Sequence, residues 1–215
     1  MHYAFDKWMD REFPGCPFER YADDGVIHCN TEAQARNLWT ALAERLGSLG
    51  LELHPDKTKV VYCKDANRRG ESEHTSFDFL GYTFRARRAK SRQGYFISFL
   101  PAMSTKAKKA VAKKIRDWHL KRRSDQDLAI LVKEINPQVR GWFNYYGAFY
   151  RSALSSIATR IEQHLVRWAM RKFKRLRERP WATWKWLESA RQSQPQLFAH
   201  WCFLPSTSNR PARAG

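Results

Sequence analysis

Apolar positions along the chain change their spacing near Pro101, from short sheet-like runs to longer helical stripes. In the first part, Phe5, Met9 and Phe13 repeat every four residues. They predict a short helix that buries them and leaves Asp6 and Asp10 solvated. Residues 17–20 and 25–29 are strand-like arms around Tyr21-Ala22-Asp23-Asp24, with Asp24-Gly25 as the turn signal of a hairpin. Thr31 and Gln34 form a capping box ahead of Ala35, Leu38, Trp39, Leu42, Leu46 and Leu49, a helix expected to end near Gly47 or Gly50. Residues 51–53 and 59–63 read as short strands around Pro55. A further strand is expected over 77–84, paired with 95–99 across the Gln93-Gly94 turn. This is an α+β pattern, a helix packed on an antiparallel sheet.

Beyond Pro101 the period is helical. Ser104 is placed to cap a helix with Ala107, Ala110, Val111, Ile115 and Trp118 as a narrow apolar stripe. Ser124 is expected to cap a short helix ending at Ile135, and Asn136-Pro137 to begin a third. A long helix over 152–177 would bury Ile157, Ile161, Leu165, Trp168 and Ala169, with Arg160, Arg167, Arg171, Lys172, Lys174, Arg175 and Arg177 outside. Trp142, Phe143, Tyr146, Phe149 and Tyr150 recur at three- and four-residue intervals and are expected in the core, as are Trp181, Trp184 and Trp186. Tyr145 and Arg140 are left facing outward as the better candidates for contact with a partner.

Charge separates the same two parts. Residues 1–100 carry 15 Lys and Arg against 14 Asp and Glu, whereas residues 101–200 carry 22 against 7, within a total of +18 over 215 residues. So basic a half attracts a polyanion. No run of about 18 apolar residues and no secretory leader are present, so nucleic acid rather than membrane is the expected partner. The four cysteines, Cys16, Cys29, Cys63 and Cys202, have no Cys-x-x-Cys spacing, which points to a reducing interior and a cytoplasmic protein and gives no zinc site.

The sharpest chemical signal is the pair Asp23-Asp24 at the tip of the expected hairpin. Taken alone, Asp-Asp-Gly is also an ordinary solvated turn. Adjacent carboxylates pushed out of a sheet are equally hard oxygen ligands for Mg²⁺, which aligns nucleophile and phosphate in nucleotidyl transfer. Ala22 beside them leaves room for a nucleotide sugar. Gly81 between Leu80 and Tyr82 suits either a close backbone approach or a glycine bulge.

In order, the segments 2–9, 20–24, 53–59, 77–84 and 135–146, from His2-Tyr3-Ala4-Phe5 through Arg20-Tyr21-Ala22-Asp23-Asp24, Leu53-His54-Pro55-Asp56-Lys57 and Phe79-Leu80-Gly81-Tyr82 to Gly141-Trp142-Phe143-Asn144-Tyr145-Tyr146, resemble the group II intron reverse transcriptase/maturase proteins. The resemblance implies the C-terminal part of a polymerase palm over 1–100 and a helical thumb and maturase-specific region over 101–201; the terminal residues 202–215 read as a disordered tail. It implies Asp23 and Asp24 as catalytic metal ligands in a two-metal Mg²⁺ site, and Lys57 as a catalytic lysine near the triphosphate. Tyr21, Ala22, Leu80 and Gly81 would meet nucleotide and primer. Lys109, Lys113, Arg140, Tyr145, Arg167, Arg171 and Arg175 would contact RNA. Intron RNA, an RNA template with its DNA primer, and dNTP are the implied partners. In that family another aspartate comes from an upstream strand that this sequence lacks, together with the fingers, so the chain looks like the C-terminal portion of a longer polymerase. No metal-binding endonuclease module is visible. The alternatives are a polymerase-inactive RNA-binding splicing factor and an inactive remnant of a fragmented intron gene.

Overall fold

Strand β1 (Phe18–Tyr21) and strand β2 (Asp24–Ile27) pair antiparallel, with Phe18 opposite Ile27 and Tyr21 opposite Asp24. The protein is described by a computed structural model that covers residues 1–68 and 70–204. It divides into two units, one of residues 1–79 and 84–99, the other of residues 80–83 and the chain from 100 onward.

In the first unit a π-helical turn, His2–Asp6, runs into α1 (Lys7–Glu12) and buries Phe5, Trp8 and Met9. These pack with Leu38, Leu42 and Leu46 of α2 (Glu32–Gly47), and Phe18 and Ile27 of the hairpin close the edge of that core. Thr31 Oγ1 accepts from the Gln34 amide at 3.1 Å, as the capping box requires, while Gln34 Oε1 reaches one residue further back, to the Asn30 amide at 2.7 Å. Gly50, at φ +70, turns the chain away after α2, and Leu49 is left exposed rather than buried.

Two expected strands do not form. Residues 51–53 and 59–63 are irregular: between them the amides of Lys57 and Thr58 turn back to the His54 carbonyl, and the Tyr62 amide bonds to the His74 carbonyl at 2.8 Å without a strand forming. The expected strand over 77–84 is instead a hairpin. β3 (Ser76–Phe79) ends where β4 (Tyr82–Ser91) begins, with Leu80 and Gly81 both at positive φ, 49 and 79, as a two-residue turn demands. β5 (Gly94–Met103) follows, giving the order β3-β4-β5. Phe77 stacks on Phe84 at 4.8 Å and on Phe99 at 6.1 Å.

The second unit is built on α3 (Thr105–Asp117), α4 (Leu128–Tyr146), α5 (Ser155–Lys172) and α6 (Pro180–Ser193). Ser104 caps α3 as expected, accepting from the Ala107 amide at 3.1 Å, although Ala112 rather than Ala110 completes the buried stripe. The expected break at Asn136-Pro137 is absent, and α4 starts after Asp127 rather than Ser124. Leu131, Ile135, Val139 and Phe143 form one stripe at four-residue spacing through the proline. Asn136, buried beside it, donates to the Leu197 carbonyl at 2.8 Å and accepts from the Ala199 amide at 3.0 Å. Packing on both sides of Pro137 outweighs the hydrogen bond that the ring removes.

The expected helix over 152–177 is α5 flanked by 3₁₀ turns at Arg151–Leu154 and Lys174–Leu176. All five of its expected core residues are buried. Residues 202–204 belong to the fold rather than to a disordered tail. The 3₁₀ turn Trp201–Phe203 sets Phe203 against Phe143 at 4.3 Å, and residues 205–215 of the expected tail lie outside the described residues.

Ile161, with no exposure at the centre of α5, is a position where truncation leaves a cavity in the core. Ile161→Ala is expected to lower unfolding stability by about 2–5 kcal/mol, read from the urea midpoint at unchanged slope.

Candidate metal-site hairpin and nucleic-acid interface

The connection between β1 and β2 is Ala22-Asp23, not Asp24-Gly25. Ala22 takes φ 52, while Asp24 and Gly25 lie within β2, opposite Tyr21 and Arg20. A side chain at 22 must therefore be small or tolerate the left-handed region. Asp23 and Asp24 are both exposed at this tip.

Arg20 holds the tip in place. Its Nε and Nη2 donate to the two oxygens of Asp6 at 2.6 and 2.7 Å, and its Nη1 donates to the Ala22 carbonyl at 2.6 Å. Asp6 is thus an ion-pair partner and not the solvated residue that its helix position suggests. Arg20 first, and His2 after it, hold the Asp6 carboxyl well below the usual carboxylate range despite partial burial. Arg20 is raised in turn, chiefly by Asp6, with a smaller attraction from Asp23. Asp10, by contrast, is exposed as expected.

Two adjacent oxygen donors suit a hard divalent cation. Among the described residues no third Asp, Glu, His or Cys joins them, so they supply part of a site rather than a closed one. Lys57 is exposed in the irregular stretch after Pro55. Tyr21 is 65% exposed and Leu80 39% exposed.

The Leu80-Gly81 turn is clamped within the second unit. The Leu80 carbonyl accepts from Tyr145 Oη at 2.8 Å, and the Gly81 carbonyl accepts from the Ser104 amide at 2.9 Å. The Tyr82 hydroxyl donates to the Tyr145 carbonyl. The space that glycine opens at 81 is filled by Tyr146, whose hydroxyl would lie 2.9 Å from an added Cβ. The close approach is therefore made by a ring of the protein itself. Burial, with Tyr145 and Tyr146 adding to it, pushes the Tyr82 hydroxyl up.

On the helices, Lys109 and Lys113 of α3, Arg140 of α4, Arg167 and Arg171 of α5, and Arg175 after it are all exposed. None of them forms an ion pair among the described residues. Lys172 does, with Asp127 at 2.8 Å, so it is half-buried and committed. Arg160, His164, Arg167 and Arg171 follow one another at four- and three-residue steps, a single line of about 16 Å along α5. His164 was missed by sequence reasoning, although that spacing signals it. Burial, then Arg167, Arg160 and Arg116, lower its pKa.

The aromatic residues divide differently from expectation. Phe143 is buried and Trp142 stacks on Trp118 at 5.7 Å, but Phe149 is 63% and Trp181 71% exposed, Trp181 lying under Lys185 at 3.8 Å. Tyr145 is half-exposed, with its hydroxyl committed to Leu80. Sequence reasoning also missed Glu162. This carboxylate is buried in α5 and accepts from His200 Nε2 at 2.9 Å and from Trp201 Nε1 at 2.8 Å, fixing the terminal segment. Burial lowers the His200 pKa against the pull of Glu162.

Residues 1–84 match the family model described as reverse transcriptase (RNA-dependent DNA polymerase). Residues 108–187 match the model for the group II intron, maturase-specific domain. The chain belongs to the group II intron reverse transcriptase/maturase family. No curated protein matches it. As a reverse transcriptase/maturase it has RNA-directed DNA polymerase ancestry, nucleic acids as partners, and a family that uses a divalent metal. None of the described helices is long and apolar enough to cross a membrane.

Two outcomes follow for this reverse transcriptase/maturase. Because the folded state lowers the Asp6 pKa, the Arg20 pair contributes in full above about pH 4 and is lost progressively as the pH falls below it. Thermal midpoints recorded from pH 7 to pH 2 should therefore fall more steeply in the wild type than in Asp6→Asn. Gly81→Ala places a Cβ at positive φ against Tyr146 and should lower the midpoint measurably, while Gly15→Ala, with no neighbour within 4 Å, should not.

Proposed function

We propose that Asp23 and Asp24 carry Mg²⁺ for RNA-directed DNA synthesis, and that the basic helices bind structured intron RNA and the template-primer. The palm portion spans residues 1–100 and the thumb and maturase region 101–201. Lys57 acts at the triphosphate, Tyr21 and Ala22 at the nucleotide, and Leu80 and Gly81 at the primer end. Lys109, Lys113, Arg140, Arg167, Arg171 and Arg175 contact RNA phosphates, with Tyr145 beside them. The work takes place on cytoplasmic or nucleoid nucleic acid.

The observation that carries this reading is the exposed pair of Asp23, on the two-residue turn, and Asp24, first in β2, at a tip whose Ala22 carbonyl Arg20 ties to Asp6. A metal-binding turn has to keep its carboxylates in place before the cation arrives, and a bidentate guanidinium with a third bond to the turn does so. The unpaired cations of the second unit support the RNA half of the reading, since each contact to a phosphate releases counterions.

A third metal ligand is not among the described residues, so this chain alone should bind RNA without extending a primer. Primer extension on an RNA template by the purified 215-residue chain, abolished by Asp23→Ala, would sink that expectation. In parallel, RNA affinity measured against salt should lose about one unit of logarithmic slope for each of Arg167→Gln and Arg171→Gln. An unchanged slope in the double variant would remove these two residues from the interface. Affinity for structured intron RNA no greater than for bulk RNA at physiological salt would leave charge alone as the explanation.

A further inference from the structure

Cys16 and Cys29, thirteen positions apart in sequence, flank the open end of the hairpin that carries Asp23 and Asp24, Cys29 packed against the core cluster to which Cys16 belongs. The ladder runs from Tyr21 opposite Asp24 down to Phe18 opposite Ile27, and one step further the His28 amide donates to the Pro17 carbonyl at 2.8 Å. Pro17 and His28 are therefore a hydrogen-bonded pair, although proline can complete only one of its two bonds. In an antiparallel ladder the next pair is of the other kind, in which opposed Cα atoms approach to about 4.5 Å. Extended by that one pair beyond the strands, the register sets Cys16 opposite Cys29. A separation near 4.5 Å lies within the range of about 4.4–6.8 Å that disulfides span.

The side chains agree with the register. Cys29 packs against the core cluster that contains Cys16, and Gln34 Nε2, at the start of α2, donates to Cys16 Sγ at 3.1 Å. Cys16 is buried while Cys29 is partly accessible, so one thiol faces a soluble reagent and the other faces its neighbour.

We propose that Cys16 and Cys29 are a dithiol modification site that a small soluble disulfide, of the glutathione class, closes reversibly into a staple beneath the Asp23-Asp24 turn. The Cys29 thiolate attacks one sulfur of the reagent, forming a mixed disulfide and releasing one thiolate. The Cys16 thiolate then attacks the Cys29 sulfur, forming the internal bond and releasing the second. The two protein thiols are oxidised and the reagent is reduced to two thiols, which take up the two protons. Burial raises the Cys29 thiol to about 11, so its thiolate is scarce near neutrality and closure is slow. The bond would close a loop over residues 17–28 and so restrict the open forms of the hairpin tip.

The test uses the full chain with Cys63→Ser and Cys202→Ser, two positions outside the pair, after circular dichroism shows the wild-type fold. Incubation with oxidised glutathione should remove both remaining thiols and lower the mass by two hydrogen atoms. A digest should yield one linked peptide pair containing Cys16 and Cys29, and dithiothreitol should restore both thiols. The same linked pair is expected from the wild-type chain, which covers the case of a poorly folded variant. Two free thiols after prolonged incubation, a stable glutathione adduct on Cys29 alone, or disulfide-linked dimers would each overturn the proposal.

Discussion

The burial of α5 governs the second unit. Eight of its positions, from Ile157 to Ala169, are enclosed by α3, α6 and the 3₁₀ turns around it, and one of the eight is a carboxylate. A helix enclosed on so many sides can carry charge only along the strip left open, so its arginines must fall in line. Arg160, His164, Arg167 and Arg171 occupy that strip. The basic surface is thus a by-product of the packing, since the core determines where the cations can go, and a line of cations suits a phosphate backbone better than a scattered set. Glu162 is the exception inside. Its bonds to His200 and Trp201 satisfy it, and through them the segment after α6 closes over the same core.

The first unit relies on a second constraint of the same kind. A two-stranded hairpin is marginal in water, so its tip must be tied to something else. Arg20 does this by bridging the Asp6 carboxylate and the Ala22 carbonyl. The pair is more polar than a core contact and more ordered than a surface salt bridge, because two parallel bonds fix the guanidinium plane. Asp6 therefore has a positional role that its place on a helix did not announce.

Much of this was legible in the sequence. The capping box at Thr31, the Ser104 cap, the stripes of α2 and α5 and the existence of a hairpin around Asp23-Asp24 all follow from local rules, although its turn falls at Ala22-Asp23 rather than at Asp24-Gly25. What was not legible depended on partners distant in the chain. Pro137 reads as a helix start, yet the stripe from Leu131 to Phe143 runs through it, and Asn136 is held by residues near 197–199. The run from Phe77 to Phe84 reads as one strand because Leu80 is apolar. Only the turn geometry at Leu80 and Gly81, completed by Tyr145 and Ser104, divides it in two. The strands expected at 51–53 and 59–63 had the right composition but no ladder to join. In the candidate site, the carboxylates were legible from their adjacency, while the Arg20 clamp joins positions fourteen apart that no period connects.

The distribution of charge gives the two units unequal dependence on solution conditions. Residues 1–100 are nearly neutral, so the hairpin relies on short, specific contacts such as the Arg20 fork, which salt screens little once geometry is fixed. Residues 101–200 carry a large excess of cations with few carboxylates to pair them, so their attraction for RNA acts at longer range and weakens steeply as salt rises. A polyanion would therefore engage the helical unit first and most strongly, whatever the occupancy of the hairpin. The proposed RNA binding and the proposed metal chemistry thus rest on different forces, and a change that abolishes one leaves the physical basis of the other in place.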